Sequence, residues 1–328
     1  MKKIIEKMVN RKIKNRIYIA GSTGMVGSSL YKELLKNVQY KVFKTNRKQL
    51  DLSKFNDLSK YLIKNNIDTI INCAGLVGGI LYNRDAKSDF LYENTIINLN
   101  LIRISDTLQM KKFINLGSSC IYPKNILSKI KEEDLLSDYL EDTNEGYALA
   151  KILALKYSHF LNSKNKNKYI TMMPCNLYGE NDTYDSIKSH VIPALILKMH
   201  NAKQKNLKKI ELWGSGNVRR EFLHIEDLVK GIKLLLVKKL SNSQLPNSSI
   251  NIGTGTDVTI KELSLIIKDV VGYRGEISFN KKYPDGVKKK LLNSNRMKEL
   301  GWSPKIKLKT GISRTYKEYM NTLNANTN

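Results

Sequence analysis

Four short apolar runs, each followed by a turn and then a helical pattern, limit the possible folds more than any other feature. They are Ile17-Tyr18-Ile19-Ala20, Thr69-Ile70-Ile71-Asn72-Cys73-Ala74, Phe113-Ile114-Asn115-Leu116 and Tyr169-Ile170-Thr171-Met172-Met173. Apolar runs without polar alternation read as strands buried on both faces. Strands that alternate with helices imply crossover connections and a parallel sheet. Tyr40 to Lys44 reads as one further strand and Ile250-Asn251-Ile252-Gly253 as another. Helical patterns cover Ser28 to Asn37, the segment with Phe55, Leu58 and Leu62, Lys87 to Met110, and Tyr147 to Leu161. The expected fold class is α/β, a doubly wound parallel sheet of the Rossmann type.

The first run leads directly into Gly21-Ser22-Thr23-Gly24-Met25-Val26-Gly27. Strand, Gly-x-x-Gly-x-x-Gly and helix in succession form a dinucleotide-binding signal. The glycines allow a tight turn and let the backbone approach a pyrophosphate at the helix N-terminus. Gly21, Gly24, Met25, Val26 and Gly27 are therefore candidate cofactor contacts, with a plain glycine turn as the alternative. The second strand ends in Thr45-Asn46-Arg47, with no acidic residue to bind ribose hydroxyls. Arg47, with Lys44 and Lys48 beside it, suits a 2′-phosphate, so NADP(H) is favoured over NAD(H). A solvated basic loop is the competing reading. Asp51 and Leu52, just beyond, are further cofactor candidates. Gly75 and the Gly78-Gly79 pair would let backbone pass close to the cofactor or substrate.

Two later stretches carry chemistry. Gly117-Ser118-Ser119-Cys120-Ile121-Tyr122-Pro123 follows the central run, and Tyr147-Ala148-Leu149-Ala150-Lys151 opens a helix. Tyr147 and Lys151, at i and i+4, share one helical face. A hydroxyl, a phenol and an ammonium can then meet at the C-terminal end of a strand, where open α/β sheets bind ligands. An ammonium near a phenol is expected to favour the phenolate, so that the tyrosine can move a proton near neutral pH. Residues 124–144 are polar and acidic and read as a loop over the site. Three domains follow: a basic extension over 1–15, an NADP-binding Rossmann domain over 16–176, and a smaller α/β substrate domain over 177–328. A return strand is expected near 250–253.

The 328 residues carry a formal net charge of +26, but the lysines are scattered rather than gathered on one stripe. Aromatic residues are not interleaved with them as a nucleic-acid stacking platform requires. Background composition helped by anionic small ligands is the preferred reading, and no nucleic-acid partner is expected. Cys73, Cys120 and Cys175 include no Cys-x-x-Cys pair. A sparse, odd count argues against a disulfide framework or a metal site and for a reducing compartment. No apolar run approaches a membrane span. A cytoplasmic protein without membrane attachment is expected.

Several motifs occur in order: the glycine loop, Gly-Ser-Ser-Cys-Ile-Tyr-Pro-Lys, Thr-Asn-Glu-Gly-Tyr-Ala-Leu-Ala-Lys, Asn-Leu-Tyr-Gly, Ser-His-Val-Ile-Pro, Trp-Gly-Ser-Gly and Arg-Glu-Phe-Leu-His. Together they resemble the extended short-chain dehydrogenase/reductases of the NAD-dependent epimerase/dehydratase family. The likeness is strongest to the branch that epimerises and reduces GDP-linked 4-keto-6-deoxy sugars. It implies NADP(H) as cofactor, a homodimer through the helices near 87–110 and 146–161, and a GDP-L-fucose-type product for a surface polysaccharide. Its hydride-transfer triad falls on Ser118, Tyr147 and Lys151, and its epimerisation pair on Cys120 and His190. Its GDP-sugar contacts fall on Asn176, Lys198, Trp213, Arg220 and Lys290.

Read without the resemblance, Cys120 is a small core residue, His190 a helix-start residue, and Arg220 one half of an ion pair with Glu221 or Glu226. Leu76, Thr23, Gly146, Lys198 and Asn293 depart from the family pattern, which points to a different sugar such as a 6-deoxy-heptose. The alternatives are a C4-reductase without epimerisation, or a nucleotide-sugar 4-epimerase with tightly bound NAD.

Overall fold

A computed structural model describes residues 15–165, 168–185, 189–241, 243–283 and 285–327. The basic extension lies outside the described residues except for Asn15, which already belongs to the first strand.

In chain order, β1 (Asn15–Ala20) leads into α1 (Met25–Leu34), then β2 (Tyr40–Lys44), α2 (Phe55–Lys64) and β3 (Thr69–Asn72). α3 (Ile80–Asp85) and α4 (Lys87–Thr107) precede β4 (Lys112–Leu116), and α5 (Glu145–Asn165) precedes β5 (Tyr169–Pro174). β6 (Asn176–Tyr178), α6 (Val191–Gln204), β7 (Lys209–Trp213), β8 (Arg219–Arg220) and β9 (Phe222–His224) follow. The chain continues through α7 (Ile225–Val237), β10 (Ser249–Ile252), β11 (Val258–Thr259), α8 (Ile260–Val271) and β12 (Glu276–Asn280). β13 (Lys289–Lys290), α9 (Asn295–Glu299) and α10 (Leu308–Thr327) complete it.

Six strands form one parallel sheet in the order β10-β5-β4-β3-β1-β2. The chain leaves β1 toward β2 and then returns past β1 to β3. The topological switch point, where such sheets bind ligands, therefore lies between β1 and β3. β3, β5 and β10 are buried at every position, which is why their sequences do not alternate. The edge strand β2 is half-exposed.

The helices cover both faces of the sheet. α2 buries Leu58 and Leu62, one turn apart. α7 buries Ile225, Leu228, Val229, Ile232 and Leu235, an i, i+3, i+4, i+7 stripe. α8 starts with a Thr259/Glu262 capping box and ends at Gly272, whose φ of 72° closes the helix in the left-handed region.

A second lobe is built from three small sheets: β12-β7, β6-β9 and β11-β8-β13. Its core gathers Tyr178, Ile196, Met199, Leu212, Phe222, Leu263 and Ile267. Segments beyond residue 176 also contribute to the first layer. Ile225, Leu228, Ile250, Leu292, Met297 and Trp302 all pack into the core of the six-stranded layer. Asp227 on α7 accepts from the backbone N–H groups of Lys305 and Ile306 at 2.8 Å, and Trp302 Nε1 donates to its carbonyl at 2.9 Å.

Residues 124–144 are irregular apart from short 3-10 turns, and part of the segment is tied into the core. Ile130 and Leu135 are buried in the main core, and Ile130 bridges Leu292. Glu132 accepts from Asn251 N at 2.9 Å and pairs with Arg296. The acidic character that suggested exposure here serves a buried tether.

Candidate active site

The glycine loop occupies the switch point. Gly21 has φ +73°, and a β-carbon there would stand 2.6 Å from the Ala74 backbone at the end of β3. A β-carbon on Gly27 would overlap the Gly21 carbonyl oxygen and Ser22 Cα. Both positions therefore require glycine for close packing. Gly24 stands at the N-cap of α1 with no side-chain cap, and the first turn holds no acidic residue. Uncapped N–H groups at the positive end of a helix dipole suit a phosphate, so the loop fits a dinucleotide. Met25 and Val26 are half-buried against the main core. Ser22 Oγ donates to the Thr45 carbonyl at 3.0 Å, and the Tyr18 and Thr45 hydroxyls pair at 2.8 Å. These bonds fix the loop to the end of β2.

Arg47 stands exposed beyond β2 and pairs with Glu93 at 3.5 Å. Lys44 lies 4.3 Å from the centre of the Tyr31 ring. Asp51 accepts from both the hydroxyl and the N–H of Ser53, and these bonds hold its carboxyl below the usual value. Leu52 packs half-buried beside α2, and its carbonyl accepts from Asn100 Nδ2 at 2.9 Å.

The chemical centre forms where β4 ends. A β-carbon on Gly117 would overlap Met173 Sδ, so this turn lies directly over β5. Ser118 is extended and caps a single 3-10 turn, its Oγ accepting from Cys120 N at 3.1 Å. The Tyr147 phenol lies close enough to the Ser118 side chain for that side chain to draw its pKa down. Phe90 meets the Tyr147 ring edge-on at 6.3 Å. Lys151 is buried, donates to the Leu116 carbonyl at 2.9 Å and lies 5.7 Å from the centre of the Tyr147 ring. A β-carbon on Gly146 would overlap the Lys87 carbonyl, so α4 presses directly on the start of α5.

At Tyr147 the effect of burial dominates. Burial pushes the Tyr147 pKa up, a nearby Cys120 charge pushes it the same way, and the Ser118 bond only partly offsets them. Burial also pulls the Lys151 ammonium down to about 8. Desolvation outweighs charge pairing here because the ammonium is directed at a carbonyl rather than at the phenol oxygen. Tyr147 therefore holds its proton at neutral pH, which suits a proton donor.

Cys120 stands half-buried within electrostatic reach of both Tyr147 and Arg220. Arg220 does not form the ion pair considered from sequence. Its guanidinium donates to the Val287 carbonyl at 2.6 Å, Glu221 turns into the core, and Glu226 pairs with Arg314. His190 caps α6 with extended backbone. The residue is solvent-accessible, yet the protein around it desolvates the imidazole enough to draw its pKa below the usual value. Asn176 donates to the Glu221 carbonyl at 2.9 Å. Lys290 is the register partner of Arg220 in the β8–β13 pair. Trp213 is half-exposed and stacks on Tyr283 with ring centres 4.6 Å apart. Lys198 is exposed on α6.

The structure thus joins Ser118, Cys120, Tyr147, Lys151 and Arg220 into one cluster. A second set, Asn176, Arg220 and Lys290, meets through the small sheets. Sequence reasoning missed the buried asparagines beneath the centre. Asn72 Nδ2 donates to Asn98 Oδ1 and Asn115 Oδ1, both at 2.9 Å, and Asn98 donates to the Asn94 carbonyl. Asn94 accepts from Leu76 N at 2.9 Å and donates to the Leu76 carbonyl at 3.1 Å. It pins the loop that passes beside Lys151. The available signal was a polar residue inside an otherwise apolar strand, repeated at Asn72 and Asn115. A separate cavity of about 600 Å³, lined by Lys131, Glu133, Asn293 and Arg296 among others, holds none of these groups.

Residues 17–253 match the model of the NAD dependent epimerase/dehydratase family, and the chain belongs to that family. Among characterised relatives it is 41% identical to GDP-L-fucose synthase of Sinorhizobium fredii, over 94% of this chain and 96% of that one. It is 37% identical to GDP-L-colitose synthase of Yersinia pseudotuberculosis, over 94% and 99%. A crystal structure of a GDP-6-OMe-4-keto-L-xylo-heptose reductase from C. jejuni superposes with a TM-score of 0.88 at 32% identity, covering 95% of this chain and 99% of that one.

Proposed function

We propose that the chain is an NADPH-dependent 3,5-epimerase and 4-reductase of a GDP-linked 4-keto-6-deoxy sugar, giving GDP-L-fucose or a related GDP-deoxysugar for a surface polysaccharide. The observation that carries this reading is the Ser118–Tyr147 pair, with Cys120 beside it and Lys151 beneath. A 4-epimerase requires no second acid/base pair, so Cys120 and His190 favour epimerisation with reduction.

The ketone at C4 acidifies the hydrogens at C3 and C5, because their loss gives an enolate. Cys120 removes such a proton as a thiolate, and His190 returns one to the opposite face. Ser118 then holds the C4 oxygen, and Tyr147 gives it a proton. Bound NADPH supplies the hydride to C4. Gly21, Gly24, Met25, Val26 and Gly27 would hold its pyrophosphate, Arg47 its 2′-phosphate, and Lys151 its nicotinamide ribose. Asp51 and Leu52 would border the adenine. Arg220 and Lys290 face the diphosphate of the sugar nucleotide, with Asn176, Lys198 and Trp213 around them. Residues 16–176, joined by 225–252 and 291–302, serve the cofactor, and the remaining C-terminal segments serve the sugar nucleotide.

Two helices carry exposed apolar residues suited to a homodimer: Leu91 and Tyr92 on α4, and Leu149, Leu153 and Phe160 on α5. Among the described residues no helix is long and apolar enough to cross a membrane. We place the enzyme in the cytoplasm, where three unpaired cysteines stay reduced. The test supplies GDP-4-keto-6-deoxy-mannose and NADPH in heavy water. Cofactor oxidation with deuterium at C3 and C5 of the product is expected. Oxidation without label would leave a reductase alone, and neither would reject the reading.

A further inference from the structure

Glu221 is fully buried in the link between β8 and β9, yet no ion pair neutralises it among the described residues. Its carboxylate is met by donors instead. Oε1 accepts from Gly255 N at 2.6 Å and from the Thr254 hydroxyl at 3.4 Å, and Oε2 accepts from Leu292 N at 2.9 Å. Its backbone carbonyl accepts from Asn176 Nδ2 at 2.9 Å. One residue therefore joins the link between β8 and β9, the loop after β10, the chain just past β13, and β6.

These are the segments that carry Asn176, Arg220 and Lys290. Successive side chains on an extended strand point to opposite faces, so Arg220 turns to the cleft as Glu221 turns inward. Arg220 is itself held by the carbonyl of Val287, ahead of β13, and Lys290 lies in register beside it. Gly253 fits the same design, because a β-carbon there would stand 2.5 Å from the Glu221 carboxylate. Burial pushes the carboxyl up to about 7, against the opposing pull of the Leu292, Gly255 and Thr254 bonds. Those donors sustain the carboxylate in a place that otherwise rejects charge.

We infer that Glu221 is a positioning residue for the sugar-nucleotide site, setting Asn176, Arg220 and Lys290 on one face by clamping the backbone of the segments that bear them. The inference rests on the proposed binding of a GDP-sugar. It concerns how strongly the nucleotide diphosphate is held, not the hydride-transfer centre. All three groups that meet the carboxylate are donors. Glu221→Gln keeps the volume but turns an amide NH2 toward one of them, so one clamp point opens.

Calorimetric titration with GDP, in parallel with NADPH, tests this. In Glu221→Gln the Kd for GDP should rise at least tenfold, and the KM for the GDP-sugar with it. The Kd for NADPH should stay within twofold and kcat within threefold. Asp227→Asn, which alters an equally buried carboxylate bonded to Lys305 and Ile306 and not to the sugar-side strands, should lower Tm while leaving GDP affinity within twofold. Unchanged GDP affinity in Glu221→Gln, or equal losses of GDP and NADPH affinity, would overturn the inference. If that variant does not fold, hydrogen exchange in the unaltered protein decides. Added GDP should slow exchange at residues 253–256 and 291–293 as well as at 219–221, and protection confined to 219–221 would refute the clamp. Wild-type protein that binds no GDP would instead reject the function proposed above.

Discussion

The two halves of this molecule hold their ligand groups by different means. On the cofactor side, the proposed contacts gather where the strands of one continuous parallel sheet end and the following helices begin, and local glycines shape the turns. On the sugar side, the strands are two to five residues long, and their order mixes distant parts of the chain. Such short strands cannot fix one another by ladder bonds alone. Carboxylates take over: buried Glu221 clamps β8, β13 and the loop after β10, while exposed Asp285 accepts from the N–H of Ser215 at 2.6 Å, two residues beyond Trp213. A backbone scaffold serves one ligand, and side-chain tethers serve the other.

Substitutions should separate the two halves. The largest effect belongs to the seam between them. Tyr147→Phe removes the proton donor and should lower the reduction rate by about 10²–10⁴-fold, with NADPH and GDP affinities nearly unchanged in direct titrations. Cys120→Ala should keep the fold and lower C3 and C5 deuterium exchange by about 10²-fold, read by NMR of the product. Normal exchange in that variant would remove the cysteine from the mechanism.

Alkaline pH should act next. Lys151 is held at about 8, so its charge is present below that value and lost above it. The apparent affinity for NADPH should therefore fall with one-proton dependence above about pH 8, while GDP affinity does not follow. Gly27→Ala forces the loop away from the Gly21 carbonyl and should weaken NADPH by about tenfold, a cost on the order of 1.4 kcal/mol, with GDP unaffected. Arg47→Ala should be the mildest. Its side chain is exposed and already paired with Glu93, so about 1 kcal/mol, or roughly fivefold in NADPH affinity, is expected.

Each half was legible to a different depth. The six-stranded layer was visible because burial on both faces writes itself as unbroken apolar runs, as in Tyr169 to Met173. The glycine loop was visible because Gly21 and Gly27 satisfy steric demands that no other residue meets. The sugar-side strands, such as Arg219–Arg220 and Lys289–Lys290, are too short and too polar to show a period. Residues 124–144 looked solvent-facing because Glu132, Glu133 and Asp134 gave no hint that Arg296 would pair with the first two of them. The i, i+4 spacing showed that Lys151 is near Tyr147 but not that it is directed at the Leu116 carbonyl.

By itself, then, the sequence determined the parallel sheet, the glycine-rich turn after β1 and the residue types at the proposed chemical centre, since periodicity, backbone strain and i, i+4 spacing are local properties. Only the tertiary structure decided which segments share the sugar-side face, where Glu221 and Asp227 direct their charges, and which proton Tyr147 holds. Those depend on burial and on donors far away in the chain, and the free energy of a buried charge is set by its whole surroundings.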